Sequence, residues 1–146
     1  DVCNHSYGTI CAPLDKETGR RVVENRIILK KNTPLPCEVS QMFYTLTKGQ
    51  KEVEVTVTQG EDKAVEYVNK ITTHKFKLPA DRPAQCPIKV TYSYDVNQRM
   101  HCKFEDVQSG SVLEVDLSLD QEGNVSERQV KEKKKQMAAV GGSKVK

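Results

Sequence analysis

The 146-residue chain contains no tryptophan, three phenylalanines and five tyrosines. Proteins that grip single-stranded nucleic acid stack its bases on aromatic rings set among basic groups, so this scarcity argues against such a partner. The net charge of +3 does not restore the case. It rests largely on Lys131, Lys133, Lys134, Lys135, Lys144 and Lys146, while the body is nearly charge-balanced. Runs of about 18 apolar residues, the length a membrane-spanning helix needs, are missing, so no membrane partner is expected. The chain opens on Asp1 without a basic-then-apolar leader, which suggests a mature form or an excised fragment.

Paired cysteines are also missing. The five present (Cys3, Cys11, Cys37, Cys86 and Cys102) are odd in number and irregularly spaced, with no CxxC. That pattern argues against a disulfide framework. It also gives little support to zinc, which normally takes ligands in closely spaced pairs; Cys3, His5 and Cys11 or His101 and Cys102 are the nearest approach. The cysteines read as small buried hydrophobes in a reducing cytoplasm. His5, His74 and His101 fall on different expected strands, so no nucleophile, base and orienting group come together in sequence. These residues do not suggest catalysis.

What the chain does have is alternation. Val53, Val55 and Val57 alternate with Glu54 and Thr56; Ile88, Val90, Tyr92 and Tyr94 alternate with Lys89, Thr91 and Ser93; Leu113, Val115, Leu117 and Leu119 alternate with Glu114, Asp116 and Ser118. A period of two puts each apolar set on one face of a strand. Weaker runs cover 2–12, 21–30, 39–46, 72–78 and 100–107. The sum is about eight strands separated by turn signals, a mainly β chain folded as an antiparallel β-sandwich.

The separators have their own chemistry. Lys48-Gly49 suits a hairpin with one residue at positive φ. Pro34 and Pro36 block pairing and force an extended crossover. Pro13–Gly19 is polar and turn-rich, an expected exposed loop, and Ser109-Gly110 is an expected short turn. The sandwich is assigned to 1–119. After it, 120–146 reads as a loop, a short helix over 127–137 with Ser126 as N-cap, and a disordered tail. That helix has a thin apolar side, Val130 and Met137, and needs something to dock on.

Several blocks resemble the peptide-binding domain of DnaK-type seventy-kilodalton heat-shock chaperones. Asp1-Val2 followed by Ser6 and Gly8 resembles the entry from the interdomain linker into the first strand. Asn32-Thr33-Pro34-Leu35-Pro36 resembles "NTTIP", and Ser40-Gln41-Met42-Phe43 resembles "SQVF". Val57-Thr58-Gln59-Gly60-Glu61 resembles "VLQGE", and Ile88-Lys89-Val90-Thr91-Tyr92 resembles "IEVTF". The stretch from Asp95 to Cys102 resembles "DADGILHV". The blocks keep family order over about 1–137.

The resemblance implies a groove for extended, apolar segments of unfolded polypeptide. Carried over by position, Thr9 and Cys11 face the peptide from the first strand, with Ile10 nearby. Ala12 and Leu46 form an arch over it, and Phe43, Val53 and Val55 line a pocket for one apolar side chain. The chain departs from the family at several points: Ala12 replaces a large residue, Leu46 stands where alanine or tyrosine is common, Thr9 replaces an apolar residue, and the loop at 13–23 is longer. In the hairpin at 95–102 a family glycine is replaced near Asn97-Gln98, and Asn97 is expected in the left-handed conformation there. No cofactor is expected for this domain; ATP and magnesium belong, by resemblance, to a nucleotide-binding domain of the longer protein. The other implied partners are that domain and co-chaperones. An alternative from the same residues is a divergent relative that serves as a fixed protein-interaction module.

Overall fold

The computed structural model describes residues 1–119 and 124–133. They form nine strands: β1 (Tyr7–Cys11), β2 (Glu24–Leu29), β3 (Cys37–Tyr44), β4 (Glu52–Gln59), β5 (Asn69–Lys77), β6 (Pro87–Tyr94), β7 (Arg99–Asp106), β8 (Val112–Leu119) and β9 (Val125–Lys133). Two antiparallel sheets result, in the orders β2-β1-β4-β5 and β3-β6-β7-β8-β9. The alternating residues meet between them. Tyr7, Leu29, Val57 and Phe76 from the first sheet pack with Tyr92, Met100, Phe104, Val115 and Leu117 from the second, all 1% exposed or less. Each such side chain contributes about 1.5–3 kcal/mol through burial.

The turn chemistry is partly as the sequence suggests. Gly49 and Gly110 have φ of 71° and 80°. At the β6–β7 hairpin the left-handed residue is Gln98 (φ 63°), not Asn97. Asn97 instead donates its N–H to the Asp95 carboxylate at 2.8 Å, an Asx turn that moves the positive φ one residue on.

The expected helix over 127–137 is overturned for its described part, because Val125–Lys133 is a strand. β9 pairs antiparallel with β8, placing Val125 opposite Leu119 and Val130 opposite Val115. A helix this short with so little apolar surface has nothing to hold it, whereas the open edge of β8 offers backbone partners along its length. The loop, helix end and tail expected at 120–123 and 134–146 lie outside the described residues.

A polar clip ties β9 to the far edge of the first sheet. The Thr72 hydroxyl donates to Glu127 Oε2 at 2.6 Å, and His74 Nε2 lies 2.7 Å from the same oxygen. The Thr72 hydrogen bond, helped by His74, holds the Glu127 carboxyl below its usual range.

A second constraint sits on β1. A Cβ added at Gly8 would lie 2.1 Å from the Arg26 carbonyl oxygen. The β1–β2 register shifts between Tyr7 and Gly8, and the β4–β5 register shifts between Val57 and Thr58. These bulges are neighbours, since Gly8 is opposite Thr58 and Thr9 opposite Val57.

Two outcomes are expected. Gly8→Ala lowers stability by about 2–4 kcal/mol in urea titration, as a backbone clash at a packed bulge predicts; an unchanged midpoint refutes the close approach. Glu127→Gln costs under about 1 kcal/mol, because the clip is partly exposed. A depressed carboxyl pKa stabilises the fold above the unfolded value of about 4.3 and stops doing so as pH falls through the folded value. The gap between wild type and Glu127→Gln is therefore present at neutral pH and closes in acid. A gap independent of pH argues against the clip.

Candidate functional site

The first sheet forks at one end. β1 stays paired with β2 as far as Cys11 opposite Glu24, and β4 stays paired with β5 from Glu52 opposite Lys77. The β1–β4 ladder holds only over Tyr7–Thr9. Beyond Thr9 the two hairpins separate, and a cleft of about 480 Å³ opens between them onto the second sheet. Bulges bend and twist strands, and both register shifts fall within the three rungs of this ladder.

All eight residues singled out in the sequence border this cleft: Thr9, Ile10, Cys11, Ala12, Phe43, Leu46, Val53 and Val55. Their surroundings differ. Val55 is 5% exposed and belongs to the core, so the floor of the cleft is the core itself. Val53 and Phe43 are half-buried and pack against that core. Ile88, Val90 and Phe104 of the second sheet complete the floor. Thr9 borders the cleft but is only 4% exposed. The Tyr92 hydroxyl meets its side chain and donates to the Gly8 carbonyl at 2.7 Å. The polarity that Thr9 introduces is therefore taken up internally, by a tyrosine where the resembling motif has phenylalanine. Cys11 is half-buried, and burial raises its thiol pKa.

Leu46, 42% exposed, stands on the rim. Its loop is pinned at both ends. Gln50 Oε1 accepts from the N–H groups of Leu46 and Thr47, and the Thr45 hydroxyl accepts from the N–H of Cys86 at 2.9 Å. Opposite, the 13–23 segment is exposed as expected but hairpin-like. The Val22 N–H donates to Pro13, the Asp15 N–H to Arg20, and the Gly19 N–H to Asp15. Sequence reasoning missed Gln50, Gln85, Arg21 and Arg26 as cleft residues. Arg26 stacks on Phe43, 5.8 Å from the ring centroid. The signal was weak: strand alternation marks the buried face and is silent about residues that hook over a rim.

A wider concavity of about 610 Å³ lies on the second sheet, at the opposite end of β3. It is bordered by Glu38, Asp95, Arg99, His101 and Asp116, and His101 Nδ1 is hydrogen-bonded to Asp116. Pro36, Tyr94, Met100 and Leu117 share its lining with these charged groups. Among the described residues no cluster of three or more His, Cys, Asp or Glu could hold a metal, and no helix is long and apolar enough to cross a membrane.

The forked sandwich has relatives. A family model described as Hsp70 protein matches residues 12–144. The chaperone protein DnaK of Anaplasma marginale (strain St. Maries) is 32% identical over 107 residues, covering 71% of this chain and 16% of that protein. The chaperone protein DnaK of Mycoplasmoides gallisepticum is 30% identical over 105 residues, covering 70% of this chain and 17% of that protein. The chain spans about a sixth of the length of these curated relatives. With a family model matching most of its length and relatives at this identity, the chain belongs to the Hsp70 family.

Proposed function

We propose that this chain is the substrate-binding part of an ATP-dependent chaperone and takes extended apolar segments of unfolded polypeptides into the cleft. The observation that carries this reading is the fork: a sheet that opens beyond Thr9 offers backbone edges and the apolar core to a third extended chain. Main-chain bonds grip a peptide whatever its sequence, and one apolar pocket supplies selectivity.

The magnitudes fit a weak, broad binder. Burying one leucine in the pocket contributes roughly 1.5–3 kcal/mol, and micromolar affinity requires about 8 kcal/mol. Backbone bonds and contacts with Ala12 and Leu46 on the rim must supply the remainder. By family resemblance we assign ATP and magnesium to a nucleotide-binding domain outside this chain, with co-chaperones regulating that cycle. Five unpaired thiols are in keeping with a reducing compartment such as the cytoplasm. The second reading, a fixed protein-interaction module, draws on the ordered 13–23 hairpin, which walls one side of the cleft.

Fluorescence anisotropy with a labelled, leucine-rich extended heptapeptide separates the two. The expected result is saturable binding in the micromolar range. Val53→Asp should remove it and Val53→Ala weaken it, with the circular dichroism of both retained. Val53 is the better probe because Val55 is core. A folded wild-type chain that binds no such peptide favours the fixed module.

Alkylation rates test the non-catalytic reading of the cysteines. Burial and the neighbouring Cys37 push the Cys3 thiol up to about 12, and burial pushes Cys102 up as well. Both should react far more slowly than a free thiol at neutral pH. A single cysteine of abnormally high reactivity argues for an enzyme instead.

A further inference from the structure

The rim of the cleft is asymmetric in charge. Among the described residues three charged side chains border it: Arg21, Arg26 and Glu54. One has local partners: Arg26 Nη2 lies 3.5 Å from Glu24 and its guanidinium stacks on Phe43. Glu54 is the single anion, on the β4 side of the cleft; Lys75, opposite it in the β4–β5 ladder, has its ammonium 3.9 Å from Glu52 instead. Arg21 is the cation left at the lip. It lies in the hairpin extension, bridged to Leu14, and donates through Nη1 to the Ala12 carbonyl at 3.2 Å. A guanidinium has five N–H donors in a fixed fork, and no acidic side chain accepts from Arg21 in the described structure.

The hydrogen bond to Ala12 sets the cation at the lip, directly beside the arch position. Around it the hairpin presents apolar groups, with Leu14 55% and Val23 60% exposed. Leu14, Val23 and Arg21 thus border the cleft on the same hairpin, apolar groups beside a planar cation. Arginine is the side chain best matched to a carboxylate, which it binds through two parallel N–H bonds.

We propose that the cleft prefers apolar segments flanked by an acidic residue, and that Arg21 is the group that reads the carboxylate. This rests on the cleft being a peptide groove and names its substrate class. The pocket fixes the anchor while the lip selects its neighbour, so specificity comes from charge complementarity rather than from added buried area.

The test compares two labelled heptapeptides with the same central leucine, one flanked by glutamates and one by lysines. Each is titrated against the wild-type chain, Arg21→Gln and Arg21→Glu. Arg21 is exposed, so neither substitution threatens the fold. An exposed ion pair is worth a fraction of a kcal/mol to about 1 kcal/mol. The acidic peptide is therefore expected to bind about two- to fivefold tighter to wild type. Arg21→Gln should abolish the difference and Arg21→Glu reverse it. Raising the salt concentration should shrink the wild-type preference by screening. Binding of both peptides without preference, a lysine preference in wild type, or a glutamate preference that survives in Arg21→Glu overturns this proposal while leaving the groove intact. If neither peptide binds a folded chain, the groove reading fails and this one with it.

Discussion

The hydrogen-bond ladder between β1 and β4 runs through three residue pairs and stops at Thr9, and the cleft exists because it stops there. Past that rung each strand keeps its outer partner, so the first sheet becomes two hairpins rather than a frayed edge. The stop is enforced locally. Gly8 permits the β2 backbone to come so close that a single added carbon would collide with it. From the other sheet, Tyr92 holds the Gly8 carbonyl. Both bulges fall on these rungs, so the bend that separates the hairpins is built into the backbone.

A cleft made this way has no separate floor. Val55, Ile88, Val90 and Phe104 border the opening and are also core residues. Interiors are packed in defined arrangements and resist deformation, so the base of the cleft is rigid and adaptation falls to the rim. Rim residues are held one by one: Leu46 through Gln50, Arg21 through Ala12, and Arg26 through Glu24 and Phe43.

Most of the sandwich was legible in the sequence because period-two alternation reports directly which side chains a sheet buries. Val112–Leu119 is a strand over the very residues that alternate, and Ile88, Val90, Tyr92 and Tyr94 are all buried as their spacing suggests. The eight candidate residues were placed by resemblance, not by pattern, since alternation alone marks Val53 and Val55 as core and cannot separate wall from floor. Two features stayed hidden for tertiary reasons. The stretch from Glu127 to Lys133 is rich in helix formers, yet the free edge of β8 outweighs propensity that no docking surface supports. Gln98 takes the left-handed conformation because the Asp95 carboxylate caps the Asn97 N–H, a choice that composition does not express.

Edge strands invite further pairing, and the way this sandwich treats its edges bears on where a peptide can add. β9 covers the edge of β8, and Glu127 fastens it to Thr72 and His74 on β5, so the two sheets are joined along that side. Along the other side, β2 and β3 form a corner where Gln41 Nε2 donates to the Ile27 carbonyl at 3.0 Å and Arg26 caps Phe43. Side chains thus occupy positions that an incoming strand would need at both flanks. The fork beyond Thr9 is different: there β1 and β4 are no longer paired, and the cleft between them has an apolar floor. Under the proposed function, peptide addition would therefore be directed inward, to the cleft, because side-chain contacts occupy both flanks.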